Sequence, residues 1–226
     1  MNTRTAYFDR LFVEALNNKI PQIVLLGAGY DSRAYRFAKL IHGTKIFELD
    51  IAPTQDRKKK CLKKTKIDIP QQVTFVPINF NQESLKNILQ EAGYQSHQET
   101  LFIWEGVSYY LTAESVDATL EFISHSLPKE SLIAFDYTVS ITEDNMNCYG
   151  VKEFARTMKE HHANEELLFS IAEGEIESFL AQRNLKVVEH LDNKEIERTH
   201  LIAAQGSSMG QITGHFRFIL ASPKAP

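Results

Sequence analysis

A chain of 226 residues is long enough for one domain with a sizeable core. An apolar share of 43% against 24% charged residues excludes disordered, collagen-like and coiled-coil classes. The net charge of −4 gives no overall pull on nucleic acid, so no nucleic-acid partner is expected. Cys61 and Cys148 form no C-x-x-C, nothing at the N-terminus resembles a signal peptide, and no apolar run reaches membrane-spanning length. A cytoplasmic location with no membrane contact follows as the expectation.

The first predicted element is an amphipathic helix in which Phe8, Leu11, Phe12, Ala15 and Leu16 recur at helical spacing before Asn17-Asn18. Its plain role is to cover one edge of the core. Arg4 offers a sharper role, a guanidinium fork for an anionic ligand group, although the first residues of a domain are usually frayed.

The apolar run Ile23–Leu26 breaks into Gly27-Ala28-Gly29 and then a helix-capable segment from Ser32 to Ile41, a strand, tight turn and helix. Glycine gives such a turn backbone freedom and lets a ligand lie against the main chain. A second strand, Lys45–Asp50, ends on a carboxylate about 20 residues beyond the glycines, the spacing used to hold a ribose diol. The third glycine of the dinucleotide fingerprint is missing, since Tyr30-Asp31-Ser32 follows Gly29. A nucleoside ligand without a diphosphate fits better, and S-adenosyl-L-methionine is the commonest. Glycines that serve only packing are the plainer alternative.

A helix is expected after Ala52-Pro53, with Arg57, Lys58, Lys59, Lys60, Lys63 and Lys64 read as a solvated basic face. Val73–Ile78 is a third strand, followed by Asn79-Phe80 and a helix from Gln82 to Ala92 closed by Gly93. Asn79 is placed either to meet an adenine edge, with Phe80 alongside, or to cap the next helix. The strand from Leu101 ends in Trp104-Glu105-Gly106, with Tyr109 and Tyr110 before a helix at Ala113–Leu127. A carboxylate and phenols there would face the glycine turn if the strands are neighbours, with at least one tyrosine expected in the core or at the rim. A fifth strand, Ser131–Tyr137, carries Asp136 and Tyr137 at its outgoing end.

A polar, helical insertion is predicted at 141–172, and its His161-His162 pair has no metal-type spacing, so no metal site is expected. A helix at Gly174–Gln182 and two strands, Leu185–Leu191 and Gly214–Ala221, complete the chain, the last antiparallel to its predecessor. Gln205–Gly210 reads as a mobile Gly/Ser loop without the lysine of a phosphate loop.

Five segments taken together resemble the leucine carboxyl methyltransferase family, and its bacterial small-molecule O-methyltransferase branch more than the branch acting on protein phosphatase tails. They are Arg4-Thr-x-Tyr-Phe-Asp9, Leu26-Gly-Ala-Gly-Tyr-Asp-Ser-Arg33 with Tyr35-Arg36, Phe47-Glu-Leu-Asp50, Asn79-Phe80 and Trp104–Leu111. The resemblance implies a single methyltransferase domain over 1–226. Its fold would be α/β, Rossmann-like, with a seven-stranded mostly parallel sheet, an antiparallel last strand and helices on both faces. By motif, it gives Arg4 the methionyl carboxylate, Gly27, Ala28 and Gly29 the methionyl and ribose region, and Asp50 the ribose hydroxyls. Asn79 and Phe80 fall to the adenine, and Glu105 to the methionyl amine. Tyr109, Tyr110 and Tyr137 are candidates on the substrate side.

Two departures stand out. Relatives usually carry Asp-Leu where this chain has Asn79-Phe80, which predicts weaker cofactor affinity because an uncharged acceptor meets the exocyclic amine. Relatives also carry a longer helical region before the arginine motif, so either a more open substrate site or a shortened gene product is expected. The implied reaction is in-line methyl transfer to a small-molecule carboxylate or hydroxyl, with no catalytic residue assigned. A dinucleotide oxidoreductase, a non-catalytic cofactor-binding relative and a methyltransferase acting on a protein C-terminus are the alternatives.

Overall fold

The computed structural model describes residues 2–126, 128–161, 167–201 and 210–224. Seven strands form one sheet in the order β3-β2-β1-β4-β5-β7-β6. They are β1 (Gln22–Leu26), β2 (Lys45–Asp50), β3 (Val73–Pro77), β4 (Thr100–Trp104), β5 (Leu132–Thr138), β6 (Leu185–Leu191) and β7 (Phe216–Pro223). The first five pair in parallel, and β7 runs antiparallel to both β5 and β6. The final strand pairs antiparallel with its predecessor, as expected, and lies between it and β5.

Both faces of the sheet are covered, which is why β1 and β4 are buried along their whole length. One face takes α1 (Asn2–Asn17), α2 (Arg33–Arg36) and α8 (Asn193–His200), gathering Phe8, Phe12, Ala34 and Ile196 over Ile23, Leu25 and Ile103. The other takes α4 (Leu85–Glu91), α5 (Ala113–Ser126) and α7 (Ile176–Ala181), with Leu89, Ile123 and Leu180 over Val24, Phe47 and Phe102. The buried phenylalanines and leucines of α1 each contribute about 1.5–3 kcal/mol to docking it. The helix α3 (Ala52–Lys64) joins the face of α1 through Lys58, whose ammonium lies 2.7 Å from the buried Glu48 carboxylate. Lys58 thus leaves the predicted basic face, because its position on α3 turns it onto the sheet.

Three predicted helices are shorter than expected. The Ser32–Ile41 segment is one turn of α-helix followed by a 3₁₀ turn at Ala38–Leu40. The helix after Asn79 begins only at Leu85, capped by Ser84, because Asn79 first closes a turn onto Asn81, Gln82 and Glu83. The Gly174–Gln182 segment is helical only over Ile176–Ala181. In the predicted insertion, the helix α6 (Val151–His161) is the one helix or strand among the described residues. The helix α8 went unpredicted although Asp192 and Glu195 form a reciprocal capping box at its start. His162 and residues 205–209 of the Gly/Ser loop lie outside the described residues.

Candidate active site

The sheet order changes direction at β1, with β2 on one side and β4 on the other, and α/β folds bind ligands beyond the carboxyl ends of the strands at such a point. A cleft of about 400 Å³ opens there, lined by Arg4, Gly27, Ala28, Gly29, Arg33 and Glu105 among others. Its floor is the loop after β1, in which Gly27 and Gly29 hold φ of +68° and +41°. A Cβ on Gly27 would lie 2.4 Å from Val107 Cγ2, so this glycine answers to packing. A Cβ on Gly29 would meet nothing closer than 3.9 Å, so there the missing side chain keeps the main chain open.

Asp50 ends β2 beside that loop. Its Oδ2 accepts the Gly29 amide at 2.7 Å and its Oδ1 the Ile51 amide at 2.8 Å. A carboxylate offers about four acceptor sites, so each oxygen keeps one for a ligand hydroxyl. Asn79 stays near because Ile78 donates its amide to the Asp50 carbonyl at 3.0 Å. Its Oδ1 accepts the Asn81 amide at 3.1 Å. Phe80 packs toward the α4–α5 face and lines a different cleft there.

On the β4 side, Glu105 sits between two guanidinium groups. Arg4 Nε donates to Oε1 at 3.1 Å, and Arg33 Nη2 donates to Oε2. Arg4 reaches the cleft because it lies four residues before Phe8 on the buried face of α1, a phase that fixes it against fraying. The same Arg4 Nη1 donates to the Tyr109 hydroxyl at 3.2 Å and to Asp136 Oδ2 at 3.4 Å. Gly106, with φ of +73°, permits this approach, since a Cβ there would lie 3.3 Å from the guanidinium.

Arg33, to which the motif assigns no role, is the hub of the cleft wall. It is buried, ion-paired with Asp31 and Glu105, and 2.9 Å from Asp9 on α1. The spacing Asp31-x-Arg33 carried the signal, because the Asp31 carboxylate also accepts the Arg33 amide at 2.7 Å. Arg36 adds a two-pronged pair to Asp9 at 2.7 Å on each prong.

The substrate-side tyrosines separate. Tyr109 is buried against Arg4 and Phe216, and burial, then Asp136, pushes its phenol well above the ordinary range. Tyr110 is 37% exposed and edges onto Tyr109. Tyr137 does not join the cleft: it faces the α4–α5–α7 side, with its hydroxyl 3.1 Å from His190 Nε2. Asp136, one residue earlier and so on the opposite face, is fully buried and points at Arg4. Among the described residues, no group of three or more His, Cys, Asp or Glu is placed to hold a metal ion, and no helix is long and apolar enough to cross a membrane.

A sheet of this order with a glycine-loop cleft at its switch point is the Rossmann-like class I methyltransferase fold. Human N-acetylserotonin methyltransferase, solved in complex with SAM, has the same fold: TM-score 0.58, 15% identity, 98% of this chain and 53% of that one covered. A model of leucine carboxyl methyltransferases matches residues 1–124, and the chain belongs to that family. Bacillus subtilis (strain 168) has a relative named "Putative S-adenosyl-L-methionine-dependent methyltransferase YktD", 30% identical over 195 residues, 85% of this chain and 63% of the relative. A Mycobacterium avium (strain 104) protein of the same description, without the final name, is 35% identical over 123 residues, 54% of this chain and 38% of its own. The chain therefore spans less than two thirds of either relative's length.

Proposed function

We propose that the cleft binds S-adenosyl-L-methionine and that the protein transfers its methyl group to an oxygen of a small molecule. The observation that carries this reading is the convergence of two acids on one glycine loop, Asp50 through the Gly29 amide and Glu105 through Arg33 and Asp31. The donor set suits a zwitterionic amino acid joined to a ribose. Arg4 forks onto the carboxylate, Glu105 takes the ammonium, and Asp50 takes the diol with its remaining lone pairs. Asn79, held beside Asp50 through the Ile78 amide, is the residue left to meet the adenine, since Phe80 turns to the α4–α5 face. Family membership and the names of the two bacterial relatives support the same cofactor.

Bound there, S-adenosyl-L-methionine supplies a methyl group already activated on a sulfonium. The work left to the chain is alignment and exclusion of water, which Arg4, Asp50 and Glu105 serve by fixing the donor at three points. A hydroxyl acceptor needs a base. Tyr109 is held protonated by its burial, and Asp136 is fully buried with its oxygens turned to Arg4 and to the Gly106 amide at 2.6 Å, so neither is placed to serve an acceptor as base. The geometry therefore favours an acceptor that arrives ionised, a carboxylate or an acidic phenol.

Transfer of a labelled methyl group from S-adenosyl-L-methionine to panels of small carboxylic acids and phenols tests this reading. Labelled ester or ether at rates dependent on Arg4 is expected. Labelling confined to peptides with a free C-terminal carboxylate would overturn the small-molecule assignment, and tight binding with no labelled product from any acceptor would overturn the catalytic one.

A further inference from the structure

Asp136 lies behind Arg4 with no exposed surface, and the reaction above gives it no task. Its two oxygens are nonetheless both engaged, and by different elements. Oδ1 accepts the Gly106 amide at 2.6 Å and Oδ2 faces Arg4 Nη1 at 3.4 Å. Its backbone carbonyl accepts the Ser108 hydroxyl at 2.7 Å, which ties the whole Glu105–Ser108 turn to β5. The charged and titratable groups facing it are Arg4 from α1 and Glu105 and Tyr109 from the segment after β4, with Arg33 behind Glu105.

We propose that Asp136 is a positioning residue of the cofactor site, holding Arg4 back from full engagement with Glu105 and fixing the turn that presents Glu105 to the ligand. This inference rests on the binding reading above. Arg4 has two carboxylates within reach, Glu105 at 3.1 Å and Asp136 at 3.4 Å. With Asp136 charged, the guanidinium is shared between them, and Glu105 keeps capacity for an incoming ammonium. With Asp136 neutral, Arg4 pairs wholly with Glu105, and the ligand must break that pair to bind. Burial pushes the Asp136 carboxyl up to about 6, so the neutral form is reached within an accessible pH range.

The experiment is calorimetric titration of S-adenosylhomocysteine into the whole chain from pH 5 to pH 8, for wild type, Asp136→Asn, Arg4→Ala and the double variant. Asparagine keeps an oxygen for the Gly106 amide and replaces the oxygen that accepts from Arg4 with an uncharged NH2. At pH 7.5, Asp136→Asn is expected to weaken binding roughly 10-fold, yet less than 2-fold in the Arg4→Ala background. Wild-type affinity should fall at least 5-fold between pH 7 and pH 5, and that fall should vanish in Arg4→Ala. The Arg4→Ala arm keeps the inference testable even if Asp136→Asn does not fold. An unchanged affinity in Asp136→Asn, an equal loss with or without Arg4, or a wild-type affinity flat with pH would each overturn it while leaving the binding reading standing. Wild type that takes up no ligand at all would remove both together.

Discussion

A methyl group built on Gly27 lies 2.4 Å from Val107 Cγ2, whereas one on Gly29 faces open space, although both residues sit in one loop at positive φ. Gly27→Ala is therefore expected to cost about 2–4 kcal/mol from overpacking and backbone strain, part of it recovered by Val107→Ala. Gly29→Ala should cost about 1 kcal/mol of strain and abolish S-adenosylhomocysteine binding. Urea unfolding and calorimetry on the same preparations separate the two effects, and the reverse pattern would show that the ligand does not approach Gly29. His215 gives a second prediction at this scale. It is fully buried between Phe154 and Phe216, neither ring nitrogen has a hydrogen-bond partner, and burial pushes it down to about 4. The unfolded chain, near the ordinary histidine value, takes up a proton that the folded chain refuses between about pH 6.5 and pH 4. Its contribution is thus intact above that window and lost as pH falls through it, on the order of 3 kcal/mol at the acid end. Asp136, raised from 3.8 to about 6, acts in the opposite sense, favouring the fold below that range and losing the contribution as pH rises through it. Thermal melts from pH 4 to pH 7 should be shallow for wild type, and His215→Phe should become more stable as pH falls. A His215→Phe profile parallel to wild type would contradict the assignment.

The helix α1, the loop after β1 and the end of β4 meet at Arg33, which pairs with Asp9, Asp31 and Glu105. Replacing it with methionine leaves three acids facing one another with their buried partner gone, and about 3 kcal/mol should be lost. Arg36→Ala, which removes an exposed pair to the same Asp9, should cost less than about 1 kcal/mol. Comparable losses in the two variants would show that the hub does not tie these elements. Strands were the legible part of the sequence, because a sheet covered on both faces demands continuous apolar runs, and Ile23–Leu26 and Leu101–Trp104 are such runs. Helix lengths were less legible, since side-chain turns compete with helix after Asn79 and a 3₁₀ turn replaces α-helix after Phe37. The Asp192–Glu195 capping box was readable and went unread. In the site, Arg4 was legible only through the family motif, since its place at the start of a helix suggests fraying, whereas Tyr137 lies away from the cleft because one residue of strand register decides which face a side chain takes.

At the level of the molecule, the sheet order places the ends of β1, β2 and β4 side by side, so residues far apart in sequence reach one cleft. Composition said nothing of this, and the motif order said most of it, because Gly27 and Glu105 directly follow parallel strands and Asp50 ends one. The acceptor stayed illegible, since no motif in the chain marks the side chains that would face it. The central claim is that a single adenosyl amino acid spans from Arg4 and Glu105 across the glycine loop to Asp50. A crystal structure with S-adenosylhomocysteine tests it most directly. The ligand's carboxylate is expected at Arg4, its ammonium at Glu105 and its ribose hydroxyls at Asp50, with the main chain of Gly29 against the ribose. A ligand bound elsewhere, or a cleft that stays closed by the Arg4–Glu105 pair at saturating ligand, would contradict the account.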